Sequence, residues 1–242
     1  MRDVAVVSFA HSTSPKELAH NEVEMIVPVV REAVAASGIP REEIGFTCSG
    51  SLDYLQGGPF SFVMGLDAVG AWPPIRESHV EMDGAWALYE AWIAIQTGEV
   101  DSALVYDFGK ASQGDVHEVM TLQYDPYYVA PLWPSMVDVA ALQARAYLDA
   151  SGRTERDLAE VAAAALRAGA ANDRAIRSDA SATAEALLAQ PKVADPLRAS
   201  DIFPTTDGAA AIVLAADDLA RRVSKRPAWI RGIDHRIRSE EH

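Results

Sequence analysis

Val80–Trp92 reads VEMDGAWALYEAW, and the spacing of its apolar residues changes part-way through. His79 to Met82 has the character of a strand end. From Asp83 the apolar residues recur at helical spacing to Thr97, and Gly98 supplies a stop. Gly84 and Ala87 are small, so this helix is expected to pack closely on what lies beneath it. A strand that turns directly into a helix is the repeating unit of an α/β fold.

The flanking sequence repeats that unit. Val4 to Ala10 is a near-continuous apolar run, as expected of a strand covered on both faces. Asn21 and Glu24 form a capping-box pair, and Val23, Ile26, Val27, Val30 and Val34 then follow helical spacing until Gly38. Pro28 is expected to kink this helix or shift its start. Ile44 to Ser49 reads as a strand, Phe60 to Val69 as a short helix after a Gly57-Gly58-Pro59 turn, and Ala103 to Phe108 as a buried strand. The alternation predicts a parallel, doubly wound sheet over residues 1–110.

Residues 110–136 break the pattern. QYDPYYVAPLWPS contains three prolines and four aromatics without periodicity, the composition of a lid or binding loop. Helices are expected at Val137 to Ala150, from Thr154 (with Asp157 in the capping-box position) to Ala171, and at Ala182 to Ala189. Strand character returns at Ala209 to Ala215, a short helix follows at Asp217 to Val223, and Trp229 to Ile237 alternates like a strand. The expected division is 1–110, a loop domain at 111–200, and 201–242 as the opening of a further α/β half that looks incomplete.

With 242 residues and 49% hydrophobic content, the chain can build one large domain or two small ones. Its net charge of −14 argues against nucleic acid and anionic membrane as partners, but leaves room for a small anionic ligand held by a few local arginines. Cys48 is the one cysteine, which fits a reducing cytoplasm. The start, MRDVAVVSFAHS, is too short in its apolar run for a signal segment or a membrane span. His79 and His117 lack metal-ligand spacing, so no metal site is expected. There is no phosphate-binding glycine loop, no G-x-S-x-G and no H-E-x-x-H.

Three segments carry a resemblance: EMDGAWALYEAWIAIQTGEVDSALVYDFGK, YLDASGRTERDLAEVAAAALRAGAANDRA and VADPLRASDIFPTTDGAAAIVLAADD. In order and spacing they resemble the thiolase superfamily, within it the lipid-transfer-protein branch. TCSGSLDYLQGGPFSFVMGLDAVGAWPPIRESHVEMDG is most similar to the thiolase-like aldolases that shorten steroid side chains. The resemblance implies an α/β layered fold (αβαβα) of two similar five-stranded halves, with a helical loop domain inserted in the first. It also implies a homodimer and a small partner protein built from a zinc ribbon and an OB-fold. No separate cofactor is implied, because coenzyme A is part of the substrate. The family's second half supplies its His and other catalytic motifs, and none of them lies within 1–242.

Counting back from Gly98 through Ala87 and Gly84 puts Glu81 where the thiolase nucleophile, a cysteine, is found. A glutamate there is a poor acyl acceptor, so covalent acyl transfer is disfavoured. Retro-aldol cleavage needs no acyl-enzyme. It needs a base for the β-hydroxyl and stabilisation of a thioester enolate. The implied reaction cleaves a steroid-type β-hydroxyacyl-CoA to a ring ketone and a short acyl-CoA. The alternatives are a non-catalytic acyl-CoA-binding scaffold and, third, an acyltransferase.

The plainer reading of Glu81, and of Asp83, is a helix-capping carboxylate. Tyr124, Tyr127, Tyr128 and Trp133 are candidate walls of an apolar substrate pocket, or equally the packed core of a lid. Arg145, Arg153, Arg167 and Arg174 fall where the family binds CoA phosphates, though each alone reads as a solvated helix charge. Asp207-Gly208-Ala209 is read as an interface turn.

Overall fold

Alternating apolar runs become strands β1 (Val4–Ser14), β2 (Phe46–Gly50), β3 (Glu77–Val80) and β4 (Ser102–Gly109), interleaved with helices α1 (Glu22–Ser37), α2 (Asp53–Gln56), α3 (Phe62–Ala68) and α4 (Gly84–Gln96). Further along lie α5 (Val116–Thr121), α6 (Met136–Ser151), α7 (Glu155–Gly169), α8 (Ala184–Leu188), β5 (Lys192–Ala194), β6 (Leu197–Arg198), β7 (Asp207–Ala216), α9 (Asp217–Val223) and β8 (Ala228–Trp229). This computed structural model describes residues 2–56, 60–70 and 76–235. The expected Gly57-Gly58-Pro59 turn and the far end of the expected Trp229–Ile237 strand lie outside them.

The chain divides into two compact units. One runs to Ser12, resumes over Glu17–Lys110, and resumes again from Asp207. The other holds Thr13–Lys16 and Ala111–Thr206.

In the first unit the strand order is β3-β2-β4-β7-β1-β8. β2 pairs in parallel with β3 and with β4, as alternation with helices predicts. The sheet as a whole is mixed, not parallel. β7 runs antiparallel to β4, and β8 antiparallel to β1. A single crossover helix forces parallel neighbours, whereas β7 returns to the sheet after the long excursion of the second unit. β8 covers only Ala228–Trp229, and the residues after it up to 235 are not strand.

Successive side chains of β4 face opposite ways. Leu104, Tyr106 and Phe108 join α1, α3 and α9 in one core, while Ala103 and Val105 join Ala87, Ala91 and Ile95 of α4 in the other. The unit is therefore α/β in three layers, helix, sheet, helix. The further sheet and helix layers of an αβαβα stack are not among the described residues. Burying Ile95 or Leu104 fully contributes about 1.5–3 kcal/mol each.

The predicted caps form. Asn21 accepts the Glu24 N–H and Glu24 accepts the Asn21 N–H, each at 2.9 Å. α1 ends at Gly38, in the left-handed region at φ 70°. Pro28 does not shift the start of α1. It is exposed on the helix, where water can replace the backbone bond it removes.

The second unit is mostly helical. Ala159 and Ala163 of α7 pack against Ala182, Ala184 and Leu187. α7 stops at Gly169, short of the expected Ala171. The β5–β6 hairpin and α5 have no counterpart in the expected elements. No described helix is long and apolar enough to cross a membrane.

Candidate functional site

The turn from β3 to α4 is held from three sides. Asp83 caps α4, its carboxylate accepting the N–H groups of Ala85 at 3.0 Å and Trp86 at 3.2 Å. The Gly84 N–H goes instead to Asp107 Oδ2 at 2.6 Å, reaching across from the end of β4. Gly84 of the turn, and Gly50 facing it from the end of β2, are required by space. A Cβ on Gly84 would lie 3.0 Å from the Asp107 Cβ, and one on Gly50 would lie 2.6 Å from the Asp83 carbonyl. This is the close packing expected at Gly84, and Ala87 is fully buried one turn later.

Glu81 does cap a helix, but not the one it precedes. Its Oε1 accepts the Asp53 N–H at 2.6 Å, at the start of α2. Its Oε2 lies 3.3 Å from His79 Nε2. His79 Nδ1 is in turn 2.9 Å from Ser49 Oγ. Glu81 is thus the outer member of a chain of hydrogen bonds that runs inward, with its own side chain 49% exposed.

Behind the turn, on the α4 face of the sheet, lies a cavity of about 410 Å³. Asp83, Gly84, Leu88, Val105, Asp107 and Ala211 are among its lining residues. The wall is largely apolar, and Asp107 is a half-buried carboxyl in it. Burial pushes the Asp107 carboxyl up to about 6, against the hydrogen bond from Gly84 that favours its charged form. A carboxyl near neutrality in a concave apolar site is suited to take or give a proton. Sequence reading missed Asp107, because it sits inside an apolar run that reads only as strand.

Cys48 lies in β2, fully buried, and burial pushes its thiol up to about 12. It is therefore a core residue, not a thiolate. Asp207-Gly208-Ala209 is not a turn but the first part of β7. Gly208 pairs with Gly109, and the buried Asp207 accepts the Glu17 N–H at 2.8 Å. Among the described residues no group of three or more His, Cys, Asp or Glu is placed to hold a metal ion.

The four aromatics belong to the second unit. Asp125 folds the segment by accepting the N–H groups of Tyr127 and Tyr128. Tyr127 and Tyr128 are each 81% exposed and Trp133 is 50% exposed, edge-on to His117 at 6.1 Å. Tyr124 is half-buried. The segment is thus not the packed core of a lid. Of the arginines, Arg145 pairs with Asp195 at 2.5 Å, Arg153 with Asp157 at 3.1 Å, and Arg167 donates to the Ala182 carbonyl at 2.6 Å. Their charges serve the unit's own helices.

No family model matches the chain. Over 238 residues it is 25% identical to the acetyl-CoA acetyltransferase of Methanothermobacter thermautotrophicus, covering 96% of this chain and 61% of that protein. To that of Methanocaldococcus jannaschii it is 24% identical over 226 residues, 91% of this chain and 57% of that one. It superimposes on the Ltp2-ChsH2(DUF35) aldolase with a TM-score of 0.74 at 20% identity, over 95% of this chain and 60% of that chain. The fold is thiolase-like. The Bacillus anthracis acetyl-CoA acetyltransferase agrees, with a TM-score of 0.68 at 18% identity, over 94% of this chain and 68% of that chain. The chain spans about three fifths of the length of the curated relatives it matches. On this thiolase-like scaffold the β3–α4 turn offers carboxylates and an imidazole, and the one thiol is closed away in the core.

Proposed function

We propose that this chain forms part of a carbon–carbon lyase that cleaves a β-hydroxyacyl-CoA, with a steroid-type ring system at the β-carbon, to a ring ketone and a short acyl-CoA. One observation carries the reading. At the place where the resemblance puts a nucleophile there is Glu81, already bonded to Asp53 and His79, and the only thiol is a buried one. The lyase reaction therefore needs no acyl group on Glu81 or Cys48. Asp107 is the group of this chain suited to accept the hydroxyl proton, being protonated and deprotonated near neutrality at the wall of the 410 Å³ cavity. As that proton leaves, the bond between the α- and β-carbons breaks. Its electrons pass to the thioester as an enolate, which takes a proton at the α-carbon. The N-terminus of α4 lies at the same wall and favours the developing negative charge.

Tyr124, Tyr127, Tyr128 and Trp133 of the second unit are kept as candidate apolar contacts for a ring system, and coenzyme A enters as part of the substrate. The Ltp2-ChsH2(DUF35) aldolase pairs its aldolase with a DUF35 protein. That name supports a partner protein here; that the partner is a small zinc-ribbon/OB-fold protein, and that the chain forms a homodimer, rest on the resemblance alone. A second reading, an acyl-CoA-binding scaffold without turnover, is favoured by the hydrogen bonds that already engage Glu81.

The test incubates the full-length protein with a steroid β-hydroxyacyl-CoA and follows ketone and short acyl-CoA by mass spectrometry. Cleavage that persists in Cys48→Ala supports the lyase. Binding without cleavage supports the scaffold, and an acylated Cys48 restores an acyltransferase.

A further inference from the structure

On the opposite face of the sheet from Asp107 there is a second polar site. We propose that Ser49 is a nucleophilic serine that accepts small acyl groups from esters or thioesters, with His79 as its base and Tyr106 Oη as donor to the carbonyl oxygen. The parallel register sets this up. His79 of β3 stands opposite Ser49 of β2, and Ser49 opposite Tyr106 of β4, so three side chains in one row face α3.

The chain of bonds has a direction. A carboxylate only accepts, so the His79 nitrogen facing Glu81 Oε2, at 3.3 Å, carries the proton. Nδ1 is then the acceptor, and Ser49 Oγ donates to it at 2.9 Å. Phe62 stacks on the imidazole at 4.3 Å and 15°, fixing the ring plane. The Asp53 N–H fixes Glu81 at 2.6 Å. A base within hydrogen-bond reach of a hydroxyl, itself oriented by a third group, is the arrangement that activates serine.

The second observation is Tyr106. The residue is 2% exposed; its hydroxyl lies beside the Ser49 hydroxyl but makes no hydrogen bond of full geometry among the described residues. Room has been left for it, since a Cβ on Gly65 of α3 would lie 2.8 Å from that oxygen. A buried hydroxyl short of an acceptor is costly, and a visiting carbonyl oxygen offsets that cost. Beside it is a cavity of about 210 Å³, bounded by Ser49, His79, Tyr106, Phe62, Leu66 and Glu77. At about 30 Å³ per water, that space suits an acyl group of a few carbons and excludes a sterol. The Glu77 carboxylate in the wall disfavours an anion.

In the step, Ser49 Oγ bonds to the carbonyl carbon and its proton passes to His79 Nδ1. The tetrahedral oxygen is held by the Tyr106 hydroxyl. The carbon–sulfur or carbon–oxygen bond breaks, and the leaving group takes the proton from Nδ1. Water then repeats the sequence on the acyl-serine to release the acid. Glu81 touches none of the reacting atoms and is a positioning residue.

The full chain is treated with p-nitrophenyl acetate, with p-nitrophenolate release and peptide masses as readouts. The expected result is one acetyl group on Ser49, absent in Ser49→Ala. The rate should fall about 10²–10⁴-fold in His79→Gln, the range for loss of a general base. Tyr106→Phe keeps the ring and hence the core, and should slow acetylation about 10²–10³-fold. Glu81→Gln should cause a smaller fall, confined to the maximal acetylation rate with KM unchanged, because Glu81 orients His79 and does not touch the ester. Loss of structure alone would move both constants. Acetyl groups confined to lysines, or Ser49 acetylated at the wild-type rate in Tyr106→Phe, would overturn the proposal. Should His79→Gln fail to fold, Tyr106→Phe decides. The assay uses no lyase substrate, so its failure leaves the lyase reading where it stands.

Discussion

The β3–α4 turn and the Tyr124–Trp133 segment were both picked out by residue type, and they behave oppositely. In the turn, side chains bind one another and the ends of α2 and α4, so position and chemistry are set together. In the aromatic segment Asp125, Thr121 and short backbone turns hold the chain, and the rings of Tyr127 and Tyr128 are exposed. A polar residue becomes part of a site when its hydrogen bonds have few alternatives. An exposed aromatic becomes part of one only when a ligand supplies the other half of the contact.

The sharpest way to break this comparison is Asp107→Asn. The amide cannot take the hydroxyl proton, so lyase turnover should fall about 10²–10⁴-fold, the range for loss of a general base. Product formation at saturating substrate measures it. A fall below tenfold would remove Asp107 from the chemistry and leave only its bond to Gly84.

The same variant should change the pH dependence of stability. The folded chain holds the Asp107 proton more tightly than the unfolded one, because burial raises this carboxyl to about 6. Its stabilisation is thus complete below the ordinary carboxylate range and is lost as pH rises through about 6. Above neutrality Asp107→Asn should therefore be the more stable protein, by at most about 3 kcal/mol for a shift near two pH units. Denaturant unfolding at pH 4 and pH 8 checks it. An unchanged gap between the two would show that the carboxyl is not held in apolar surroundings.

Much of the first unit was legible in the sequence because its signals are local. The Asn21–Glu24 pair, the apolar period of α1 and the stop at Gly98 each lie within a few residues of what they specify. The direction of β7 was not legible, since nothing near Ala209–Ala215 records how the chain returns to the sheet. β5, β6 and α5 are too short to carry a period. At the site, Glu81 was visible from its distance to Gly98, but its bond to Asp53 joins residues 28 apart. Asp107 and the Ser49–His79 pair depend on strand register and on the packing of α4, which no single stretch encodes.

Gly50→Ala tests the packing side of the turn. A methyl group placed 2.6 Å from the Asp83 carbonyl must push α4 away from β2. Overpacking of this kind costs about 1–3 kcal/mol. Thermal unfolding should show it, with an equal loss of the Asp83 cap. A melting temperature within a degree of wild type would mean the turn has slack, which its dense hydrogen bonding argues against.

For the aromatic segment the informative quantity is a ratio. If the exposed rings meet the ligand, Tyr127→Ala or Trp133→Ala should lower kcat/KM for a steroid β-hydroxyacyl-CoA by about 1–3 kcal/mol in transition-state binding. A short β-hydroxyacyl-CoA should be used nearly as well as before. Both rates falling together would make the segment structural, against the exposure of its rings.

The smallest expected effect is at Glu81, and it separates two roles that one carboxylate holds. As a cap for the Asp53 N–H it contributes what such caps contribute, about 0.5–2 kcal/mol. Gln keeps an oxygen that can accept the Asp53 N–H, so Glu81→Gln should sit at the low end of that range. Gln also keeps an acceptor for His79 Nε2, but without the charge. On the lyase proposal, turnover should stay near wild type, because that proposal gives the proton of the β-hydroxyl to Asp107 on the other face of the sheet. Paired measurement of melting temperature and turnover in one variant is enough. A large loss of turnover at an unchanged melting temperature would move Glu81 from the frame of the site into its chemistry, at the position that the resemblance assigns to the thiolase nucleophile.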